Sequence, residues 1–418
     1  MDKLIIKGGS KISGSVNVHG SKNSALPIIV SSLLSKKTLK LSNVPNVVDV
    51  LNLIKLLKNY GVKIEHKKNK LKINPSKIKN LSADYDVVRK MRASILILGP
   101  LLSRFGEARI SLPGGCAIGT RPIDIHLAGL SKLGANFEIQ NGFVVGSVKS
   151  QLIGNKIKLP FPSVGATENI LMASVLANGE TKISNAAREP EIEDLSKCLI
   201  KMGAKIEGHG TKTILVQGVT NLKKAEHEIS ADRIVAGTYI IAALMLNSAL
   251  EINNFNTFYL KSLIDILKKM GAKLKVSKNS IKVSKGSKLK STSLSTSPYP
   301  GFPTDLQAQL MSLMCISDGK SKIKETIFEN RFMHVPELNR LGANITVEKD
   351  TATIIGNQTF KGAQVMASDL RASISLVLAA MNANGQTTLN RVYHLDRGYE
   401  NIEKTLGSLG VKIKRKKN

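Results

Sequence analysis

The chain of 418 residues has no tryptophan, and aromatic residues make up only 4%. Stacking platforms for nucleic-acid bases are therefore poorly supplied. Its cysteines number three, Cys116, Cys198 and Cys315, far apart in sequence. They make no disulfide framework and fit a reducing compartment. Long apolar runs are missing as well. Leu4-Ile5-Ile6 is too short for a signal peptide, and Ile234 to Leu246 falls short of a membrane span and contains Gly237 and Thr238. A cytoplasmic protein without membrane insertion is expected. Acidic residues are scarce, 31 against 61 lysines and arginines, which leaves a net charge of +30. A charge of that size suggests an anionic partner. The lysines are spread along the chain, however, many in alternating segments such as Lys70-Leu71-Lys72-Ile73. That pattern reads as solvated strand faces, so nucleic acid is not the expected partner. The basic tail Lys414-Arg415-Lys416-Lys417 reads as frayed.

What is present in abundance is repetition. A hydrophobic residue, a glycine and then Ala or Val recur at Gly61, Gly134, Gly203, Gly271, Gly342 and Gly410, with spacings of 73, 69, 68, 71 and 68 residues. Each glycine follows an amphipathic helical pattern, as in Leu53-Ile54 and Leu56-Leu57, and suits a left-handed helix cap. Polar–apolar alternation follows each one and predicts a strand. A second helix recurs at a similar interval, nearly all apolar and rich in small residues, which marks it as buried. The reading is an α/β protein of six repeated units of about seventy residues, three to a domain, with helices gathered at each centre. The Ser/Thr/Pro-rich stretch from Ser291 to Pro303 reads as a loop within the second half.

The buried helices open on polar residues, and helix N-termini attract anions. Lys22, Arg92, Arg121, Arg371 and Arg397 are read as cations at such openings. A cleft between the two domains lined by them would suit a substrate with several phosphates or carboxylates. The segment Leu112 to His126 adds a thiol, Cys116, between Gly114-Gly115 and Gly119. On the residues alone Cys116 can be a reactive thiol or a small buried hydrophobe. The polar, glycine-flanked loop offers no apolar face for the second role. Cys198 and Cys315, in apolar helical patterns, fit it well.

These features together resemble the UDP-N-acetylglucosamine 1-carboxyvinyltransferases of the EPSP synthase family, the enolpyruvyl transferases that begin peptidoglycan synthesis. The resemblance covers essentially the whole chain. It rests on Gly20-Ser21-Lys22-Asn23, Met91-Arg92-Ala93-Ser94, Leu112 to Cys116, Arg121-Pro122-Ile123-Asp124 and Pro162 to Thr167 in the first half. In the second half it rests on Pro300 to Asp305, Glu329-Asn330-Arg331-Phe332 and His394 to Tyr399. It implies a two-domain inside-out α/β barrel of six units. Residues 21–229 would form one domain and residues 1–20 plus 230–418 the other, because the family's N-terminus crosses over. The active site would lie in the cleft between them. The implied reaction moves the enolpyruvyl group of phosphoenolpyruvate to the 3-hydroxyl of UDP-N-acetylglucosamine and releases phosphate. No cofactor and no metal are expected.

Carried over residue by residue, Lys22, Arg121 and Arg397 would hold the phosphate and carboxylate of phosphoenolpyruvate. Cys116 would protonate its methylene carbon, and Asp305 would take the proton of the sugar hydroxyl. Asn23, Arg92, Arg121, Pro122, Ile123, Asp124, Ile125, Ser163, Val164, Gly165, Asp305 and Ile327 would contact the UDP-sugar. Arg331 and Arg371 would lie near the reaction centre. Phe161 stands where some members carry a charged residue close to the uridine, and its backbone is the part expected to serve. A plain helix cap remains the other reading of Asp305. The sister enzyme that makes 5-enolpyruvylshikimate 3-phosphate lacks the Gly-Gly-Cys loop. An RNA 3′-phosphate cyclase needs a histidine near its end, but His394 sits in a Tyr-His-Leu-Asp-Arg context that matches the transferases. A nucleic-acid-binding module would announce itself by a steep salt dependence of binding.

Overall fold

The six glycines stop six helices. The computed structural model describes residues 2–79, 81, 92–112 and 123–417, and of Arg92 the backbone only. Within it the helices Val48–Asn59, Asp124–Lys132, Pro190–Lys201, Lys261–Lys269, Val335–Arg340 and Ile402–Ser408 each end just before one of the repeated glycines. All six glycines have φ between 92° and 113°. Side chains with a Cβ resist that region, so the helix ends there and the chain turns into a strand. The strands Lys63–Lys67, Ala135–Gln140, Lys205–Glu207, Leu274–Val276, Asn344–Glu348 and Lys412–Lys416 follow in turn.

The second helix of each unit is Lys22–Ser31, Leu98–Phe105, Val164–Ser174, Arg233–Met245, Gln307–Ile316 and Leu370–Asn382. All thirteen residues of Arg233–Met245 are buried. Burying one large aliphatic side chain is worth about 1.5–3 kcal/mol, so these helices organise the core. Small residues let them pack closely. A Cβ on Gly237 would meet Leu306 at 2.9 Å and Leu263 at 3.0 Å. Gly237 thereby seats Leu306, the neighbour of Asp305.

The strands form six sheets, five of four strands and one of three among the described residues. The plan repeats. Glu180–Ser184 pairs antiparallel with Thr213–Gln217 and parallel with Lys156–Lys158, and Lys205–Glu207 covers the far side of Thr213–Gln217. In the three-stranded sheet the Arg109 N–H donates to the Leu81 carbonyl at 3.1 Å. Lysines do line the outer strand faces: in Lys70–Asn74 the lysines are exposed while Leu71 and Ile73 are buried. A groove of about 580 Å³ on that sheet is lined by Lys40, Lys67, Lys70 and Lys72 with Glu65 and Glu226. It holds none of the candidate site residues. Two of its lysines are already paired, Lys40 with Glu226 at 2.7 Å and Lys72 with Glu65 at 2.9 Å.

The chain divides into two compact units, one from the described residues of 20–230 and one from residues 2–19 and 231–417. Each has its own hydrophobic core. In the first, Ala225–Glu228 returns to pair parallel with Leu39–Ser42. In the second, Lys3–Lys7 lies between Gln386–Asn390 and Lys412–Lys416, antiparallel to both. Ser15–Asn17 then pairs parallel with Leu250–Asn253. Lys3–Lys7 thus does for the last sheet what the second strand of a hairpin does in the others, while Ser15–Asn17 supplies the parallel edge strand of the sheet that holds Leu250–Asn253. This corrects the reading of the C-terminal tail as frayed. Ile413 stands opposite Ile6 and Arg415 opposite Leu4. The order of the sequence hid that partner, because it is the other end of the chain. The stretch from Ser291 to Pro303 is also not all loop, since Ser293–Ser295 pairs parallel with residues 322–324. Among the described residues no helix is long and apolar enough to cross a membrane.

Candidate active site

In the unit of residues 20–230, Ser21 caps Lys22–Ser31 by accepting the Ser24 N–H at 3.3 Å. This places Lys22 and Asn23 in the first turn, both half-buried. The Lys22 ammonium meets the buried Asp49 carboxylate at 3.1 Å, so one charge partner already holds it in place. Asp49 was not singled out from the sequence. Its signal, an acid in the first turn of an amphipathic helix, also marks ordinary surface positions.

Ser163 caps Val164–Ser174, accepting the Ala166 N–H at 3.4 Å. Val164 and Gly165 therefore lie in an open first turn, whose N–H groups have no partner within the helix. Phe161 is 55% exposed just before it, with its carbonyl taken by the Ser163 N–H at 2.8 Å. Ile123, Asp124 and Ile125 open the neighbouring helix, Asp124 exposed and the two isoleucines half-buried. Cys116, Arg121 and Pro122 lie outside the described residues, and so does the Arg92 side chain; its backbone opens the 3₁₀ helix Arg92–Ile97.

One buried amide joins these elements. Asn169 accepts the Gly99 N–H at 2.7 Å, donates to the Ile95 carbonyl at 2.9 Å and faces His126 Nδ1 at 3.2 Å. The first two bonds fix the orientation of the amide, so its nitrogen donates and His126 Nδ1 accepts. The His126 ring in turn rests on Gly165, where a Cβ would come within 3.1 Å of it. Asn169→Ala is therefore expected to lower stability by about 2–4 kcal/mol, since it strands several buried groups at once. A urea-unfolding midpoint that does not move would refute the role. Glu168, beside Asn169, is buried near Glu191 and Glu189. Burial and those charges hold its pKa well above the usual carboxylate range.

In the other unit Asp305 sits in the short 3₁₀ turn Thr304–Leu306. Its carboxylate is gripped from both sides. Arg331 Nη2 donates to Oδ1 at 2.9 Å and Arg371 Nη2 to Oδ2 at 2.7 Å. The two arginine side chains are 4% and 6% exposed, against 27% for Asp305. Asp305 is thus a held carboxylate, not a plain helix cap. The two guanidiniums and the carboxylate form one compact charged cluster, with the Asp232 carboxylate also acting on Arg371. Burial disfavours the charge on Arg371, but Asp305 and Tyr399 more than offset this and raise its pKa. Asp369 caps the helix that carries Arg371, accepting the N–H groups of Arg371 and Ala372 at 2.8 and 3.1 Å. Tyr399, fully buried, pairs its hydroxyl with Thr238 at 2.9 Å.

His334 lies behind Arg331 and is buried. Burial pulls its pKa down to about 4; Asp369 opposes that shift and the Arg331 charge reinforces it. The unfolded chain, near 6.5, takes the proton first as pH falls. The contribution of neutral His334 is therefore complete above about pH 6.5 and lost as pH drops toward 4, on the order of 3 kcal/mol. Unfolding free energies at pH 7.5 and 4.5 should differ by less in His334→Gln than in the wild type. An equal difference would remove His334 from the account.

Arg397 corrects the expectation of a cation at a helix opening. It ends the 3₁₀ helix Val392–Arg397, and the next helix starts only at Ile402. Arg415, from the tail expected to fray, holds the preceding residue. Its guanidinium makes a two-pronged pair with Asp396 at 3.0 and 2.6 Å and reaches Glu403 at 3.1 Å. Ile327 stands at a turn where its N–H is taken by the buried Glu325 at 2.9 Å. Cys198 and Cys315 are buried, and burial pushes both thiols up to about 12. They are inert packing residues, as their apolar patterns indicated.

Comparison with known proteins extends these observations. The family model for EPSP synthase (3-phosphoshikimate 1-carboxyvinyltransferase) matches residues 6–406. The UDP-N-acetylglucosamine 1-carboxyvinyltransferase of Pelagibacter ubique is 51% identical over 99% of this chain and 100% of its own. That of Paramagnetospirillum magneticum is 49% identical over 100% and 99%. Among solved structures, the enolpyruvyl transferase NikO of Streptomyces tendae superposes with a TM-score of 0.91 at 24% identity, covering 99% of this chain and 98% of its own. EPSP synthase from Acinetobacter baumannii does so with 0.78 at 19% identity, over the full length of both. At those identities the two structures show the α/β fold alone.

Proposed function

Because the chain belongs to the UDP-N-acetylglucosamine 1-carboxyvinyltransferase family, we propose that it transfers the enolpyruvyl group of phosphoenolpyruvate to the 3-hydroxyl of UDP-N-acetylglucosamine, releasing phosphate, as the first committed step of peptidoglycan synthesis. The observation that carries this reading is the Asp305 carboxylate clasped by Arg331 and Arg371. It offers a fixed proton acceptor held between two guanidiniums, which suits a hydroxyl nucleophile attacking an anionic partner.

Asp305 takes the proton of the sugar hydroxyl as its oxygen bonds to C2 of phosphoenolpyruvate. Cys116 delivers a proton to C3, and the electrons of the C2–C3 double bond form that C–H bond. Loss of phosphate from C2 and of a proton from C3 then restores the double bond in the product. Lys22, Arg121 and Arg397 hold the phosphate and carboxylate and favour phosphate as leaving group. Asn23, Arg92, Arg121 to Ile125, Phe161 through its backbone, Ser163 to Gly165 and Ile327 bind the UDP-sugar, the open helix turn at Ser163 supplying N–H donors for an anion. A cytoplasmic location fits the two free, buried cysteines. The test is phosphate release on mixing the protein with both substrates. Release that needs both supports the proposal. No release from folded protein, together with salt-dependent binding of generic RNA, would replace it with nucleic-acid binding.

A further inference from the structure

Glu325 is a buried carboxylate that ties the Thr304–Asp305 turn to the Arg331 side of the Asp305 clasp. It follows the strand Lys320–Lys324. Its Oε2 accepts the hydroxyl of Thr304, the residue before Asp305, at 2.9 Å. Its Oε1 accepts the N–H groups of Ile327 and Phe328 at 2.9 and 3.3 Å and the Thr296 hydroxyl at 3.0 Å. The Phe328 ring lies 5.5 Å from the Arg331 guanidinium, which grips Asp305 in turn. One side chain thus reaches Asp305 by two routes, through Thr304 to its backbone and through Phe328 to its cation. A buried carboxylate with four donors is costly to place and hard to move. Nothing in the reaction uses Glu325 directly.

We propose that Glu325 is a positioning residue for the Asp305 base: by holding the Thr304 hydroxyl and the Ile327–Phe328 amides on one carboxylate, it fixes where the Asp305 oxygens meet the sugar hydroxyl. The role rests on the transferase reading above. Glu325 sets geometry and moves no proton, so loss of its bond to Thr304 acts on kcat, whereas loss of its bond to the Ile327 N–H also reaches the UDP-sugar site and its KM. Binding of phosphoenolpyruvate, assigned to Lys22, Arg121 and Arg397, is left alone. Misplacement by about 1 Å can cost up to about a hundredfold in rate.

The experiment compares Thr304→Val, Thr304→Ser, Glu325→Gln and the Glu325→Gln/Thr304→Val double variant with the wild type, reading kcat, KM for each substrate and Tm. Thr304→Val removes one hydroxyl and keeps the volume. It should lower kcat by about tenfold or more, with KM for phosphoenolpyruvate within twofold and Tm within a few degrees. Thr304→Ser, which keeps the hydroxyl, should return kcat to within threefold of wild type. In Glu325→Gln the amide oxygen can still serve Ile327 and Phe328, and the double variant should be no slower than the slower single one. A Thr304→Val enzyme within threefold of wild type would overturn the role, as would a loss that Thr304→Ser shares or losses that multiply in the double variant. If Glu325→Gln does not fold, the Thr304 pair decides. A wild type that releases no phosphate strikes the transferase reading, and this role falls with it; an active wild type matched by Thr304→Val strikes the positioning role alone.

Discussion

Asp305→Asn is expected to lower kcat for phosphate release by about a thousandfold, within the range for loss of a general base. Asparagine keeps the size of the side chain but cannot take a proton from the sugar hydroxyl. It also has one acceptor oxygen where aspartate has two. One guanidinium would keep its bond and the other would face an amide N–H. Arg331 and Arg371 are nearly buried, at 4% and 6% exposure, so the unmatched cation carries a stability penalty as well. Breaking a buried pair costs about 3–5 kcal/mol, and an amide that keeps one of the two bonds should cost less. The two effects separate in measurement. A thermal melt reports the stability loss, and kcat measured well below the melting midpoint reports the chemistry. A folded Asp305→Asn enzyme with kcat within tenfold of wild type would take the base role away from Asp305. Arg371→Lys tests the cation in the same way. Lysine keeps the charge and loses the fork, so an intermediate loss is expected.

The second large effect is expected at Cys116. Cys116→Ala should lower single-turnover phosphate release by about 10²–10⁴, since water is left to protonate C3. Cys116→Ser should sit near the alanine variant, because a hydroxyl is a far weaker acid than a thiol. Release within threefold of wild type would keep the enzyme and remove Cys116 as the essential acid. Chemical labelling gives an independent check. Cys198 and Cys315 are 0% exposed, and burial pushes their thiols up to about 12. Thiolate, not thiol, reacts with alkylating agents, so neither can compete near neutral pH. One adduct, at Cys116, is the expected mass-spectrometric result. Labelling spread over all three would contradict both the burial and the assignment.

Much of this molecule is written locally in its sequence. A helix ends where a residue takes positive φ, and six glycines at near-equal spacing mark six ends. Whether a helix is buried or amphipathic is carried by residues three and four apart. So the count of units, the two helix types and the lysine-faced strands could be read before any tertiary contact was known. The resemblance supplied the residues Asp305, Arg331 and Arg371, but local patterns alone would have left them an acid in a helix start and two arginines on a charged chain. Their meeting depends on pairings across 26 and 66 residues. The same holds for Asn169, which joins backbone groups 70 and 74 residues away, and for Arg415 with Asp396, 19 residues apart. Arg397 differs from expectation for the same reason, since its local sequence resembles a helix opening while the folded turn places it at an end. Periodicity and backbone preference act over one or two turns and are legible from the chain itself. Which carboxylate meets which cation, and which terminus completes which sheet, is decided only when distant units pack, because charge pairing and burial depend on neighbours that sequence order does not supply.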